Sequence, residues 1–294
     1  MKIVKIIFRL LFVVCAVVLA ISAYVGWGLM HPARQQVAFS PAVVGLSYEP
    51  VTFASRAKRL TLRGWLIKSP VNKQTIIFAH GYGKNRLQDD VPLLPVVQVL
   101  VNRGFNVLLF DLRDCGESDG TQTTLGQYEA ADLLGAVDYV RSKSELSQKI
   151  TLYGFSMGAA TAIMAASQDA EIAAVIADSS YADLKSYLEK NLSVWTNLPA
   201  IPFNQTILLI VPPLTGVDIE KVSPVHAVQQ LGSRPLLLIH GEADVDVPIE
   251  NSELLQQAYP AAVLVRVPNA KHVKAFATDG ERYLKEIIIF LEAI

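Results

Sequence analysis

Residues 149–168, KITLYGFSMGAATAIMAASQ, join a strand-like run to a helix-like run through a serine that lies between two glycines. The first part, KITLY, is a short apolar run typical of a buried strand, and MGAATAIMAAS is rich in the small residues of a closely packed helix. A Gly-x-Ser-x-Gly motif is weak by itself. At a strand-to-helix junction it is a strong signal, because the tight turn there projects the serine hydroxyl. Ser156 is therefore a candidate nucleophile.

Short apolar runs of this kind recur along the chain, at 75–80, 106–111, 149–154, 173–178, 235–240 and 262–267. Helices are predicted among them, near 92–103, 124–141, 157–167, 250–258 and 279–292. Continuous apolarity is typical of strands buried on both faces, and their alternation with helices predicts a mostly parallel sheet with helices on both faces. Ahead of these runs, residues 51–69 are predicted to form two antiparallel edge strands around a basic turn. The predicted fold class is α/β, with one domain over residues 49–294.

The stretch between the runs 173–178 and 235–240 is too long for a single crossover connection. It contains several aromatic residues and the apolar run ILLIVPPL (207–214), so it is too apolar for a solvated loop. We expect a small helical cap at about 181–230 that covers the C-terminal edge of the sheet. The alternative is an ordinary pair of packing helices.

The N-terminal segment has the strongest apolar pattern. Residues 10–30, LLFVVCAVVLAISAYVGWGLM, contain no charge and are long enough for a helix to cross a bilayer. Because this run is longer than the apolar part of a cleaved signal peptide, residues 1–30 are predicted to be an uncleaved transmembrane signal anchor and 31–48 a linker. The basic residues before the run, Lys2, Lys5 and Arg9, predict a cytoplasmic N-terminus and a body on the extracytoplasmic side of the cell membrane.

Composition excludes several classes of protein. The 26 basic and 27 acidic residues are nearly balanced, which argues against a nucleic-acid partner that is bound through a basic surface. The two cysteines, Cys15 and Cys115, are too few for a disulfide framework or a zinc cluster. The chain has no nicotinamide fingerprint, phosphate loop or metal-ligand cluster, so we expect no cofactor and no metal.

A serine nucleophile requires a base, and the base requires a carboxylate that orients it. His272 follows the last predicted strand and is the candidate base. Asp244 follows the run 235–240 and is the preferred acid, with Asp246 and Asp178 as alternatives. The order serine, aspartate, histidine is the order in which an α/β hydrolase presents its triad.

The reaction also needs two hydrogen-bond donors for the oxyanion. The backbone amides of Tyr82, in the glycine-containing loop after the run 75–80, and of Met157 are the predicted pair. His80 is expected to order that loop.

The other polar residues near these loops are given structural interpretations. Lys84 and Arg86 could attract an anion, but we expect them to be solvated loop charges. Cys115 is expected to pack in its loop rather than to act as a redox sensor. His226 and His240 are expected to be structural.

These motifs resemble the α/β-hydrolase superfamily, and in particular its serine-hydrolase branch of esterases, lipases and serine aminopeptidase-like enzymes. The matching pieces are HGYGKNR (80–86), DLRDCGESDG (111–120), GFSMG (154–158), ADSSYADL (177–184), HGEADVDVP (240–248) and NAKHVKAF (269–276). The resemblance implies Ser156 as nucleophile, Asp244 as acid and His272 as base, with oxyanion donors at Tyr82 and Met157. It also implies that the cap is a lid that shapes an acyl pocket. The family usually has glycine where Asp114 or Cys115 stands here.

The expected function is a membrane-anchored serine hydrolase that cleaves a carboxylic ester or thioester through an acyl-serine intermediate. Anchoring and an apolar cap favour a lipid-like acyl substrate. The expected partners are a small-molecule ester or acyl substrate and, through the N-terminal helix, the membrane. A serine peptidase with the same triad is the first alternative, and a non-catalytic, membrane-tethered binding module is the second.

Overall fold

The central feature of the fold is one twisted sheet. The computed structural model describes residues 1–57 and 60–294, and within this part eight strands form the sheet in the order β1-β2-β4-β3-β5-β6-β7-β8. The strands are β1 (Glu49–Ala54), β2 (Thr61–Ile67), β3 (Gln74–Ala79), β4 (Phe105–Phe110), β5 (Ile150–Phe155), β6 (Ala174–Asp178), β7 (Leu236–Gly241) and β8 (Val263–Val267).

Strands β3 to β8 are parallel, while β1 and β2 pair antiparallel and form one edge. The predicted α/β fold with a mostly parallel sheet is confirmed, as is the antiparallel edge. Part of the predicted basic turn, at Lys58 and Arg59, lies outside the described residues. Every residue of β3, β4 and β5 is buried, which is why these strands have continuous rather than alternating apolarity.

Helices cover both faces of the sheet. In the described residues they are α1 (Lys2–Met30), α2 (Leu93–Asn102), α3 (Glu129–Arg141), α4 (Met157–Gln168), α5 (Leu184–Thr196), α6 (Ala200–Thr215), α7 (Pro224–Ala227), α8 (Glu250–Ala258), α9 (Ala275–Thr278) and α10 (Gly280–Ala293). One apolar core contains side chains of α3, α4 and α8, and the other contains side chains of α2 and α10. The two cores place helices on opposite faces, as predicted.

Helix α3 begins later than the sequence predicted. The expected helix started near residue 124, but Leu125 and Gly126 have φ of +53° and +106°, which interrupt a helix. The buried Glu129 carboxylate accepts hydrogen bonds from the backbone N–H groups of Thr124 (2.6 Å) and Gly126 (2.8 Å). These bonds hold residues 124–128 in a loop, because the carboxylate satisfies backbone donors that a helix would otherwise use.

The long insertion between β6 and β7 is helical. It contains α5, α6 and α7, together with short 3-10 turns at Ile219–Lys221 and Val228–Gln230. Helices α5 and α6 meet at an angle of 116°. Side chains from α5 and α6, such as Leu188 and Ile207, belong to the same core as α4, so the insertion packs on the domain as a cap.

Helix α1 is, among the described residues, the one single helix with the length and composition of a membrane span. Most of its side chains are exposed, but its C-terminal end contacts the body of the protein. Met30 is buried, and its carbonyl accepts a hydrogen bond from the Thr123 N–H (2.9 Å). At Gly26 an added Cβ would lie 2.1 Å from Val211 Cγ2, so α1 and α6 approach closely there.

The segment after α1 also packs against the domain. The Arg34 guanidinium donates hydrogen bonds to Asp114 Oδ1 (3.0 Å) and to the Ser118 carbonyl (2.8 Å). A short 3-10 turn, Pro41–Val44, follows, and Val37, Val44, Leu46 and Tyr48 contact the core beside α2 and α10. The end of α1 is therefore held in a defined position by contacts on both sides of it.

The prediction that Arg86 is a solvated loop charge is wrong. Its side chain is only 1% exposed and pairs with Asp111, which is 0% exposed, and with Glu117 at 2.7 Å. The guanidinium also lies over the Trp65 ring, 4.7 Å from the ring centroid. Lys84 is more exposed and pairs with Asp89 at 2.7 Å. A buried carboxylate needs a compensating cation, and Arg86 supplies it to Asp111.

Replacing Arg86 is expected to destabilise the domain much more than replacing Lys84. Arg86→Met leaves the buried Asp111 carboxylate without its ion pair, which should cost about 3–5 kcal/mol in the free energy of unfolding. Lys84→Met removes a pair at the surface and should cost at most about 1 kcal/mol. Denaturant unfolding of the two variants in detergent measures both, and equal losses would contradict the structural role assigned to Arg86.

Candidate active site

Ser156 lies on the sharp turn between β5 and α4. Its φ of +52° is a strained conformation for a residue with a side chain. The turn requires glycine on both sides, because an added Cβ at Gly154 would lie 2.1 Å from the Gly158 carbonyl oxygen, and one at Gly158 would lie 2.1 Å from the Ala79 oxygen. The glycines of the motif thus allow α4 to start directly against the sheet, and the strained turn presents the Ser156 hydroxyl above it.

The structure brings Ser156, His272 and Asp244 together in one hydrogen-bonded chain. Ser156 Oγ lies 2.9 Å from His272 Nε2, and His272 Nδ1 lies 2.7 Å from Asp244 Oδ2. Because the carboxylate can only accept, Nδ1 carries the proton, and Nε2 is left to accept from the serine hydroxyl. The three residues come from the loops after β5, β8 and β7, which meet at the carboxyl edge of the parallel sheet.

Hydrogen bonds keep Asp244 ionised. Its Oδ1 accepts from the N–H groups of Asp246 (3.0 Å) and Val247 (2.9 Å). Burial alone would raise the pKa of this carboxyl, but hydrogen bonds from His240 and His272 outweigh burial and lower it to about 2. Burial also disfavours charged His272, yet its hydrogen bond to Asp244 raises the His272 pKa above the ordinary value.

The two alternative acids occupy other positions. The Asp246 N–H donates to Asp244, so Asp246 adjoins the acid rather than replacing it. Asp178 is buried at the end of β6, where it accepts from Tyr283 Oη (2.7 Å) and Ser179 Oγ (2.9 Å), and burial raises its pKa. Among these three carboxylates, the one that contacts His272 directly is Asp244.

The predicted oxyanion donors, Tyr82 and Met157, both line the cavity at Ser156. Among the described residues, neither backbone amide donates to a protein acceptor. Met157 opens helix α4, where the N–H groups of the first turn have no partner within the helix. That the Tyr82 and Met157 amides donate together to the oxygen of a reacting carbonyl stays a prediction.

His80 orders the loop that carries Tyr82. Its Nδ1 donates to the Gly81 carbonyl (2.8 Å), and its Nε2 accepts from the Leu112 N–H (3.0 Å). The buried His240 is similarly held, between Ser252 Oγ and the Val247 carbonyl, both at 2.7 Å. Both histidines have the structural roles that the sequence predicted.

The cavity beside Ser156, which we call the Ser156 cavity, is almost entirely apolar. Its walls include Leu125 from the loop before α3, Leu188, Leu192 and Trp195 from α5, and Leu29 from α1. The Trp195 ring stands edge-on to both the His272 ring and the Tyr82 ring, with centroids 6.5 Å and 6.2 Å apart. Cap helix α5 therefore covers the catalytic histidine candidate.

Sequence reasoning missed the contribution of helix α1 to this cavity. Leu29 lines it, and the Leu29 carbonyl accepts a hydrogen bond from Tyr82 Oη (2.7 Å). Nothing in an apolar N-terminal run distinguishes a helix that only spans a membrane from one whose end also forms a cavity wall. The contact joins residues 53 positions apart and arises from tertiary packing.

Cys115 is buried in the loop after β4, and burial raises the pKa of its thiol. A reactive thiolate is therefore disfavoured, as the packing interpretation predicted. Within residues 1–57 and 60–294, no group of three or more His, Cys, Asp or Glu side chains is arranged to hold a metal ion.

Comparison with known proteins supports the same fold. The model of the X-Pro dipeptidyl-peptidase (S15) family matches residues 59–205, which is half of the chain. The uncharacterised protein YfhR of Escherichia coli O157:H7 is 33% identical over 256 residues, covering 83% of this chain and 81% of YfhR. The uncharacterised protein YqkD of Bacillus subtilis is 28% identical and covers 79% and 75% of the two chains.

A solved structure agrees with these matches. The esterase Pf2001 of Pyrococcus furiosus superimposes with a TM-score of 0.74 at 27% sequence identity, and the alignment covers 90% of this chain and 98% of the esterase. The sheet order, the strand-to-helix turn at Ser156 and the family match agree with the resemblance seen in the sequence. The chain therefore belongs to the peptidase S15 family of the α/β-hydrolase superfamily, a group of hydrolases that includes esterases and peptidases.

Proposed function

We propose that the protein is a serine hydrolase that cleaves carboxylic ester or thioester bonds through an acyl-Ser156 intermediate. The observation that carries this proposal is the hydrogen-bonded chain from Ser156 through His272 to Asp244. A serine hydroxyl is a weak nucleophile by itself, and this arrangement supplies the base and the orienting carboxylate that it needs.

Each residue has a defined role in the proposed reaction. Neutral His272 accepts the Ser156 proton as Oγ attacks the substrate carbonyl, and Asp244 stabilises the resulting imidazolium. The Tyr82 and Met157 amides stabilise the negative oxygen of the tetrahedral intermediate. His272 then protonates the leaving alcohol or thiol, which departs and leaves the acyl group on Ser156. In the second half, His272 activates water, and hydrolysis of the acyl-serine releases the carboxylic acid.

The chemistry of the Ser156 cavity favours an ester over a peptide. No Asp or Glu side chain lines it in the described part of the chain, so a free α-amino group would have no counter-ion there. Its tyrosine hydroxyls are already engaged: Tyr82, Tyr181 and Tyr187 donate to backbone carbonyls of Leu29, Leu125 and Asp246. A buried peptide group without partners is costly, whereas an acyl chain fits apolar walls.

We further propose that α1 is an uncleaved anchor in the cell membrane, with a cytoplasmic N-terminus and an extracytoplasmic catalytic domain. Its length and hydropathy suit a membrane span, and its basic residues precede the uncharged run. Its contacts with Thr123 and Val211 also support retention, because cleavage would remove the helix that packs against the cap and the loop of Thr123.

The proposed triad and orientation predict serine-directed labelling from the outer side of the membrane. In right-side-out membrane vesicles, a fluorophosphonate probe that does not cross bilayers should label the wild-type protein. Ser156→Ala should abolish labelling, since no nucleophile remains. His272→Ala should lower both labelling and hydrolysis of p-nitrophenyl butyrate by about 10³-fold or more, because the base is lost.

Asp246→Asn is the matched control for Asp244→Asn. The two residues are adjacent in one loop, but only Asp244 bonds His272, so only its loss should reduce kcat, by about 10⁴-fold. Equal effects of the two substitutions would contradict the assigned acid.

In the labelling experiment, an unlabelled but folded wild-type protein would favour the binding-module alternative. Labelling that requires opened vesicles would contradict the proposed orientation.

The pH dependence of kcat/KM should follow the protonation of His272 in the free enzyme. Only the neutral imidazole accepts the serine proton, so activity is lost as pH falls through the His272 pKa. Because Asp244 raises that pKa, the midpoint should lie above the ordinary histidine value of about 6.5. Asp244→Asn should shift the pH midpoint of the residual kcat/KM to a lower pH. A midpoint that does not move would contradict the assigned contact.

Ester and peptide specificity can be separated with two chromogenic substrates. We expect kcat/KM for p-nitrophenyl butyrate to exceed that for an aminoacyl p-nitroanilide by about 10³-fold, because the cavity offers no partner for an ammonium group. Comparable values would support the serine peptidase alternative, to which the family match gives independent weight. Ser156→Ala gives the background rate for both substrates.

A further inference from the structure

A second apolar cavity adjoins the Ser156 cavity and extends between helices α1 and α6. We call it the α1–α6 cavity; Gly26, Ile207, Leu208, Val211 and Val217 lie in its walls. Four leucines line both cavities, namely Leu29, Leu125, Leu188 and Leu192. The two spaces therefore share a common wall of apolar side chains, and together they lead from the nucleophile to the contact between α1 and the cap.

We propose that the acyl chain of the substrate lies in both cavities, and that it enters sideways from the bilayer between α1 and α6. The substrate class is a membrane-resident carboxylic ester of a fatty acid. This inference rests on the proposed ester hydrolysis and adds the origin of the substrate and the place of its chain.

The sizes of the cavities separate short from long acyl chains. The Ser156 cavity has a volume of about 60 Å³, and the α1–α6 cavity adds about 40 Å³. A short acyl chain such as butyrate needs only the space beside Ser156, whereas a longer chain such as octanoate continues into the α1–α6 cavity.

Helix α1 is a fixed wall of this space rather than a loose tether. Tyr82 Oη holds the Leu29 carbonyl, and the Thr123 N–H holds the Met30 carbonyl. At Gly26 the absence of a side chain lets α6 approach. These contacts lie in the last turns of the same uncharged run, residues 10–30, that is predicted to cross the membrane.

The outer surface of the cap is suited to hydrocarbon. Residues 191–217, which contain α6 and the end of α5, include no charged residue. Large apolar side chains point outward from this stretch, with Ile201 79%, Leu209 73% and Leu214 57% exposed. Such a patch is unusual on a water-facing surface. Leu29 of α1 and Ile207 and Leu208 of α6 give the α1–α6 cavity apolar walls on both helices, so an acyl chain that enters between them meets apolar side chains.

The chain-length test uses the full-length protein in phosphatidylcholine vesicles and two adjacent substitutions on α6. Leu208→Trp fills the α1–α6 cavity, while Leu209→Trp adds the same ring on the exposed side. Wild type should prefer p-nitrophenyl octanoate to the butyrate by about tenfold or more in kcat/KM. L208W should lose that preference and keep butyrate hydrolysis within about twofold, whereas L209W should resemble wild type. Leu208→Phe serves if L208W does not fold.

The outcomes separate this inference from the proposed function. Absence of butyrate hydrolysis by folded wild type would overturn the proposed function itself. Butyrate hydrolysis without an octanoate preference, or an equal loss of both substrates in L208W, would overturn the placement of the acyl chain while the esterase assignment stands.

Entry from the bilayer has a separate test with an ester that partitions almost fully into vesicles, p-nitrophenyl dodecanoate. Ester placed in the bilayer that holds the protein should be hydrolysed without a lag, whereas ester supplied in separate, protein-free vesicles should be hydrolysed only as fast as it transfers between vesicles. Equal initial rates in the two arrangements would overturn lateral entry.

Discussion

The close approach of helix α4 to strands β3 and β5 is the constraint on which the site depends. Gly154 and Gly158 permit it, because any Cβ at either position would overlap a backbone carbonyl. The approach forces Ser156 into a strained turn, and such strain persists only where the surrounding structure fixes it. Strand β5 supplies that support from the middle of the sheet. Its parallel neighbours then bring the loops of Tyr82, Asp244 and His272 to the same edge.

The sequence predicted the fold and the candidate triad because their signals are local. Each central strand is a continuous apolar run, and each triad member lies in the loop or turn that follows such a run. The sequence could not decide which of Asp178, Asp244 and Asp246 is the triad acid, since all three lie at or just after strand ends. The structure identifies the residue that contacts His272, because the loop after β7 directs Asp244 Oδ2 toward His272 Nδ1. The late start of α3 is set by local contacts of Glu129, but the Arg86 prediction failed because its partner is distant in sequence. Arg86 pairs with Asp111, 25 residues away, and no local pattern distinguishes it from a solvated charge.

The departure from the usual family motif at Asp114 has a structural explanation in the N-terminal segment. Asp114 has φ of +57°, a conformation that favours glycine and is tolerated by aspartate better than by most residues. Its carboxylate accepts from Arg34, just after α1. A glycine there would relieve strain but offer no acceptor. Asp114 thus adopts a strained backbone conformation and in return accepts a hydrogen bond that helps to fix the end of the N-terminal helix.

The fixed end of α1 differs in its surroundings from the rest of the helix. Along most of α1 the side chains are exposed and suit lipid, whereas Leu29 and Met30 face protein and meet the cavities. Tyr82 connects α1 to the site, because Tyr82 lines the Ser156 cavity and its hydroxyl donates to the Leu29 carbonyl of α1. Any displacement of α1 would therefore reach both the acyl space and the proposed oxyanion loop. In this arrangement the N-terminal helix is part of the architecture of the site rather than an appendage to it.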